Sequence, residues 1–363
     1  MKIIEKKCIC ANRDSVFNYF GWPSVARLSD GTLAMTASGF RMRHVCPFGK
    51  GIISYSFNEG KTWTPPAVVM DTPLDDRDSG IVPFGKNRAI FTSFNNSIAA
   101  QTNWMGKLKE DTPWGAASKA FTKAYLDLIA AKPGSETLLG STYKLSEDGG
   151  YTFGETRLCP VTAPHGPMPT VDGGLLYIGR RFSENDAADR GDKPYIQCWR
   201  LNSEGGFDYV SSIENIPDGK GDWYLSCEPH AIQLPDGKII VHIRVQRNCF
   251  TTYQSVSTDF GKTFSKPEPL LSLYGGAPAH LLRLSDGRII SVYGYREAPY
   301  GIRYMISDDE GDHWKTDLVL DDSAETADLG YPASVELSDG RILTVYYQNV
   351  GGASVIFQIL WMP

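Results

Sequence analysis

The sequence predicts an all-β fold: a six-bladed β-propeller with one inserted helix at about residues 114–131, built as a single domain over residues 1–363. Three observations predict it. An eight-residue turn pattern occurs four times, a strand–Asp-Gly–strand pattern interleaves with it, and successive copies of the latter lie about 50 residues apart, the length of one four-stranded blade.

The turn pattern reads Ser56-Phe-Asn58-Glu-Gly60-Lys-Thr62-Trp63, Ser146-Glu-Asp148-Gly-Gly150-Tyr-Thr152-Phe153, Ser257-Thr-Asp259-Phe-Gly261-Lys-Thr263-Phe264 and Ser307-Asp-Asp309-Glu-Gly311-Asp-His313-Trp314. A weaker trace, Asn202-Ser-Glu-Gly-Gly206-Phe207, lies between the second and third. Ser and Asp side chains bond the local backbone, Gly supplies a positive φ, and the closing aromatic plugs the apolar layer beneath. These are structural turns on the outer part of each blade.

The second pattern begins extended, runs through an apolar strand and turns at Asp-Gly, the best short hairpin signal. It occurs as Trp22 to Asp30-Gly31, Glu228 to Asp236-Gly237, Pro278 to Asp286-Gly287 and Tyr331 to Asp339-Gly340, with a looser copy from His165 to Asp172-Gly173. Asp236 to Asp286 spans 50 residues and Asp286 to Asp339 spans 53, one blade each. Asp30 to Asp172 spans 142, two blades plus extra chain. Thr112-Pro113 followed by WGAASKAFTKAYLDLIAA accounts for the surplus as an amphipathic helix with Phe121, Tyr125, Leu128 and Ile129 on one face, which fits either a cover over the cleft or a subunit contact. The blade between starts near Asp78. The last blade runs out before its fourth strand, which residues 2–10 are expected to supply, removing an open edge.

Composition narrows the function classes. The chain is 42% hydrophobic and 21% charged, enough to bury a large core. A net charge of −6 offers no general attraction for phosphate backbones or acidic lipid, so neither nucleic acid nor membrane is an expected partner. MKIIEKKCIC carries no leader pattern and no apolar run reaches membrane length, so a cytoplasmic location is expected. Seven cysteines without CxxC spacing read as free thiols, and six histidines without HExxH or HxH spacing propose no metal site and no cofactor.

Two sets of positions face the central mouth of such a fold. Strand starts contribute Trp22, Glu228, Pro278 and Tyr331, joined by Asp76, Asp78 and His165; positions eight to eleven after the Asp-Gly turns contribute Arg41, Arg180, Arg181, Arg244, Arg247 and Arg296, with Gln348 in the last blade. Arginine recurs at one geometric position in four blades of an acidic chain. Converging guanidinium groups suit bidentate capture of a carboxylate on a small ligand. Singly, each of these arginines reads equally well as a cap on a solvated loop.

SCEPHAIQLPDGKIIVHIR and LGYPASVELSDGRILTVYYQ resemble segments of the sialidase (neuraminidase) superfamily, the BNR or Asp-box propellers, over nearly the whole chain. That resemblance implies a glycoside hydrolase cleaving a terminal anionic, sialic-acid-like sugar from a small-molecule or oligosaccharide substrate. It implies Tyr331 as nucleophile and Glu228 as its base, with Arg244 in the carboxylate clamp and Arg296, or failing that Arg303, as a further clamp arginine. A phenol suits an anomeric carbon that already bears a carboxylate, where an anionic nucleophile meets repulsion. Tyr331 as a packed strand-start aromatic and Glu228 as an anchor for an arginine stand as the structural alternatives.

Three departures qualify the resemblance. The family's Phe-Arg-Ile-Pro reads Phe20-Gly21-Trp22-Pro23, the glutamate that steadies that arginine reads Gln348, and the acid/base aspartate falls near Lys50. Replacement acids are Asp76 or Asp78, with His44 or His165 as proton carriers; Arg41 would assist the carboxylate, and Trp22 reads equally as a platform stacking on a sugar face and as a buried core residue. Two other readings stay open: a propeller enzyme acting on uronate- or rhamnose-containing glycans, and a non-catalytic sugar-binding propeller.

Overall fold

The structure, a computed structural model, describes residues 1–182, 194–247, 249–270 and 278–363; the side chains of residues 247 and 249 lie outside the description, Arg247 of the mouth set among them. It is an all-β propeller carrying two helices among the described residues. Three antiparallel sheets of four strands run Arg77–Phe84 to Arg157–Cys159, Leu225–Gln233 to Glu268–Pro269, and Ala279–Arg283 to Lys315–Asp321. A fourth sheet combines Val161–Thr162 and Met168–Pro169 with Leu175–Arg181, Ile196–Leu201 and Phe207–Ile213. The largest has eight strands and divides at one parallel pairing, Tyr19 with Ser354. One half is Tyr19–Arg27 through Ala67–Met70; the other is Leu329–Glu336, Ile342–Val350, Ala353–Met362 and the strand Lys2–Cys10, antiparallel to Ala353–Met362.

Neighbouring units bury apolar faces on one another. Leu28, Ala34 and Ile53 pack on Ile81 and Ala89; Val82, Ile90 and Tyr143 pack on Val161, Leu175 and Tyr177. Leu234 and Ile240 meet Leu281 and Ile289, while Trp22, Leu33 and Met35 meet Tyr331, Leu343 and Tyr347, so the first unit packs on the last.

The four turn boxes share one hydrogen-bond scheme between the third and fourth strands. In the second, Gly150 N donates to Ser146 Oγ at 2.8 Å and Thr152 N and Oγ1 donate to Asp148 at 2.9 and 2.6 Å. Asp259 and Asp309 repeat it with Thr263 and His313, and Asn58 with Thr62. Gly60 has a φ of 75°, and a β-carbon there would strike the Leu343 side chain of the adjoining unit. Gly60→Ala is therefore expected to cost about 1–3 kcal/mol through strain and overpacking. Urea denaturation checks it; an unchanged midpoint would mean that the packing at Leu343 yields freely.

The inserted helix, α2, spans Pro113–Ala130, with Thr112 as N-cap accepting from Gly115 N and Pro113 in the first turn. A second helix, α1 (Ile98–Gly106), precedes it and had no sequence signal, since its one buried side chain is Gln101. The buried stripe of α2 is Ser118, Thr122, Leu126 and Ile129, while Phe121 and Leu128 of the apolar face are exposed. Arg43 accounts for the polar edge of that stripe, because its guanidinium bonds Ser118 Oγ and Thr122 Oγ1.

Candidate active site

Four innermost strands break register at the same place. The breaks fall between Gly21 and Ser24, Arg77 and Gly80, Cys227 and His230, and Gly330 and Ala333. Inside them Trp22, Asp78, Glu228 and Tyr331 adopt φ values of 54°, 46°, 48° and 48°. A positive φ is costly for a side-chain-bearing residue, and such bulges re-aim a side chain out of the ladder. In three cases the next residue is proline, which denies the strained residue a right-handed helical alternative.

Two of these bulges bring Tyr331 and Glu228 together. Tyr331 Oη donates to Glu228 Oε1 at 2.7 Å; Arg244 Nη1 bonds Glu228 Oε2 and lies 3.4 Å from Tyr331 Oη. The Phe250 ring carries the Arg244 guanidinium at 3.9 Å and that of Arg296 at 5.3 Å, and Arg296 also lies 5.8 Å from the Tyr331 ring centre. Arg296 Nη2 donates to Leu329 O at 3.0 Å, leaving its Nε buried without a partner. Phe250, which orders both guanidiniums, was not foreseen.

The electrostatics separate two carboxyls. Burial opposes charge on Glu228, but Arg244 and the hydrogen bonds from Tyr331 and Arg244 outweigh it and hold the group below its ordinary value. Asp78 is pushed up to about 7, first by burial and further by Glu228, with Arg77 opposing. Its Oδ1 is buried and unpaired. Burial, aided by Glu228 and Asp78, lifts the Tyr331 phenol well above its usual range. Asp78 and Glu228 line one cavity of about 420 Å³ together with Asn96, Arg180, Arg181 and Gln246. A carboxyl raised to about 7 thus shares a pocket with a carboxyl held below its ordinary value and bonded to a phenol, two environments that push the groups apart.

The BNR repeat-like domain family matches residues 126–344, more than half of the chain. The chain belongs to that family. Among solved structures it is similar to a protein of unknown function from Dyadobacter fermentans, at 22% identity and a TM-score of 0.73, covering 100% of this chain and 99% of that one. It is similar to the NanB sialidase of Streptococcus pneumoniae at 15% identity and a TM-score of 0.66, covering 98% and 70%. The intramolecular trans-sialidase of Ruminococcus gnavus, in complex with oseltamivir carboxylate, gives 15% and 0.62 over 96% and 95%. No curated protein sequence matches. This BNR repeat-like protein accordingly has the sialidase propeller fold.

Several other expected site residues stand elsewhere. Trp22 is fully buried, with the Arg77 and Arg41 guanidiniums 4.1 and 4.7 Å from its ring centre and His44, Tyr331 and Tyr347 around it, so no face remains for a sugar. Arg41 is equally buried: it pairs with Asp75 at 2.6 Å and bonds Ser38 Oγ and His44 O, which leaves it none of its reach toward the mouth. Asp76, although raised to about 7 by burial, accepts from Thr72 N and Oγ1 and closes a turn. Arg303 points outward to Asp321 O, Asp317 and the Tyr295 ring. His165 lies on the propeller axis, bonded to Ser24, and Gln348 is buried opposite Leu329 with Oε1 unpaired. Lys50 pairs with Asp71. At Gly21, a side chain would start 3.1 Å from the Tyr19 ring and 3.7 Å from Tyr347, so the two tyrosine rings lie against the position where the sialidase resemblance would place an arginine.

Arg77, unmarked in the sequence, sits instead between these groups. It donates to His44 O at 2.9 Å, keeps a buried unpaired Nε, and its charge acts on Asp78, while Tyr331 and Tyr19 act on it.

Proposed function

We propose that the protein is a six-bladed, sialidase-like glycoside hydrolase that removes a terminal acidic sugar with retention, using Tyr331 as nucleophile. The blade count treats the two halves of the eight-stranded sheet, divided at Tyr19 and Ser354, as separate blades. The single observation that carries the chemistry is the 2.7 Å bond from the buried Tyr331 hydroxyl to an ionised Glu228. Glu228 takes the phenolic proton as the oxygen attacks the anomeric carbon, and Arg244 and Arg296 hold the sugar carboxylate across Phe250. Asp78 gives its proton to the departing glycosidic oxygen. In the second half, Asp78 accepts a proton from water, which displaces the phenolate, and Glu228 returns the first proton to Tyr331.

The tyrosine rings against Gly21 and the burial of Arg41 favour an acidic sugar other than simple N-acetylneuraminate. Release of sugars from sialosides, uronosides and rhamnosides, measured side by side, tests this directly. Robust turnover of an ordinary sialoside would overturn the specificity; no turnover of any would overturn the enzyme reading.

The pH profile follows from the two carboxyls. Glu228 must be ionised, so its lowered value places the acid limb of kcat/KM below about 4.5; Asp78 must be protonated, so activity falls as pH rises through about 7. Constant kcat/KM from pH 6 to 9 would remove Asp78 from the acid role.

A further inference from the structure

We propose that the propeller axis, one layer beneath the candidate active site, binds a small oxyanion, inorganic phosphate or a carboxylate, through the imidazoles of His165, His230 and His280. The inference is independent of the glycosidase reading.

Two residues past the bulge at Glu228, the inner strand carries His230; the same offset from Pro278 gives His280. These rings stack at 4.3 Å, and His165 stands edge-on at 5.6 and 5.0 Å from them. All three line a cavity of about 270 Å³ that runs down the axis between the inner strands. No aspartate or glutamate lines it among the described residues; its one permanent charge is the exposed Arg283, and its other polar groups are Ser24, Ser334 and Gln233.

Hydrogen bonding sets the polarity of the cluster. Leu281 N donates to His230 Nδ1 at 3.0 Å, and Ser334 N donates to His280 Nδ1 at 3.4 Å. A neutral imidazole whose Nδ1 accepts carries its proton on Nε2, so His230 and His280 present N–H donors. A ring presenting N–H has no lone pair for a metal ion at that nitrogen, so the cluster suits an acceptor. His165 shares its Nδ1 with Ser24 Oγ at 2.8 Å, and its Nε2 is buried without a partner. Ser24 Oγ donates to Pro164 O at 3.3 Å and so accepts from His165 Nδ1, which leaves a lone pair at Nε2; protonation there, favoured by a bound oxyanion, turns this orphan atom into the third donor.

Burial keeps all three imidazoles well below their ordinary pKa; His280 and the neighbouring His242 add to the effect on His230, His230 adds to that on His165, and His165 to that on His280. A bound anion favours the imidazolium, so binding takes up protons and tightens as pH falls, by up to about tenfold per pH unit for each proton taken up.

Histidine-labelled protein, followed by long-range proton–nitrogen NMR, tests the site with phosphate, acetate and Zn²⁺ added separately at pH 6 and 7. The expected result is saturable movement of the His165, His230 and His280 Nε2 signals with phosphate or acetate, tighter at pH 6; whichever anion binds more tightly names the source. His44, beside the arginine mouth, reports binding there. Movement of His44 alone, of the three axial rings with Zn²⁺ alone, or of none, would overturn the proposal. His165→Phe should abolish the response, and because the wild-type pH dependence is read without it, a variant that fails to fold leaves the test intact.

Discussion

Replacing Tyr331 with phenylalanine is expected to lower kcat by about a thousandfold or more, because it removes the attacking atom and leaves Glu228 with no proton to accept. Stability should change by only about 1 kcal/mol, the worth of one hydrogen bond. The ring keeps its neighbours, Trp22 at 6.3 Å and Tyr347 at 6.1 Å between centres, and Glu228 keeps Arg244, so no buried charge is stranded. Glu228→Gln should be nearly as damaging, and the double variant scarcely worse than either, since the pair acts as one unit. Turnover and melting temperature measured on the same samples decide the matter. Near-normal turnover in Tyr331→Phe would place the nucleophile elsewhere, and a collapse of melting temperature in step with activity would make the hydroxyl a structural group.

What was legible in the sequence is what local backbone chemistry dictates. Ser146, Asp148, Gly150 and Thr152 bond one another within a single turn, so their spacing alone carries the structure. The Asp-Gly hairpins are equally local, and counting from them located Tyr331 and Glu228 at strand starts. Groups whose partners lie in another unit were read poorly. Arg41 and Arg77 look alike as arginines near strand ends, but Asp75 captures the first and Trp22 shelves the second, and neither partner is marked by spacing. Trp22 at an inner strand start read equally as a sugar platform and as core, and the two guanidiniums over its ring decide for the core. The axial histidines lie 50 or more residues apart, so no cluster pattern exists. The offset past the strand start shared by His230 and His280, and also held by Ser24, was the signal available.

Removing residues 2–10 should be the most damaging change to the fold. The strand itself is mostly exposed, so little apolar burial is lost with it; its hydrogen bonds and its position matter more. It covers one side of Ala353–Met362, pairing from Lys2 with Met362 to Cys10 with Ile356. Lys6 also crosses to Asp321 at 2.8 Å and Ser323 at 2.6 Å, lying 5.1 Å from the Phe357 ring centre. Losing a ladder of this length costs on the order of 5 kcal/mol at about 1 kcal/mol per bond, a large part of a typical domain's stability. The strand it uncovers, ASVIFQILWM, has no charge and no proline, which is the composition of an edge that pairs with other chains. The truncated protein should therefore unfold at much lower urea and form aggregates visible by light scattering. A synthetic peptide of residues 2–10 supplied in trans should reverse part of both effects by adding back as a strand. If the truncated chain stayed monodisperse with an unchanged unfolding midpoint, the remaining three strands would be sufficient to close the ring, and the pairing of Lys2–Cys10 would be an accessory to the fold.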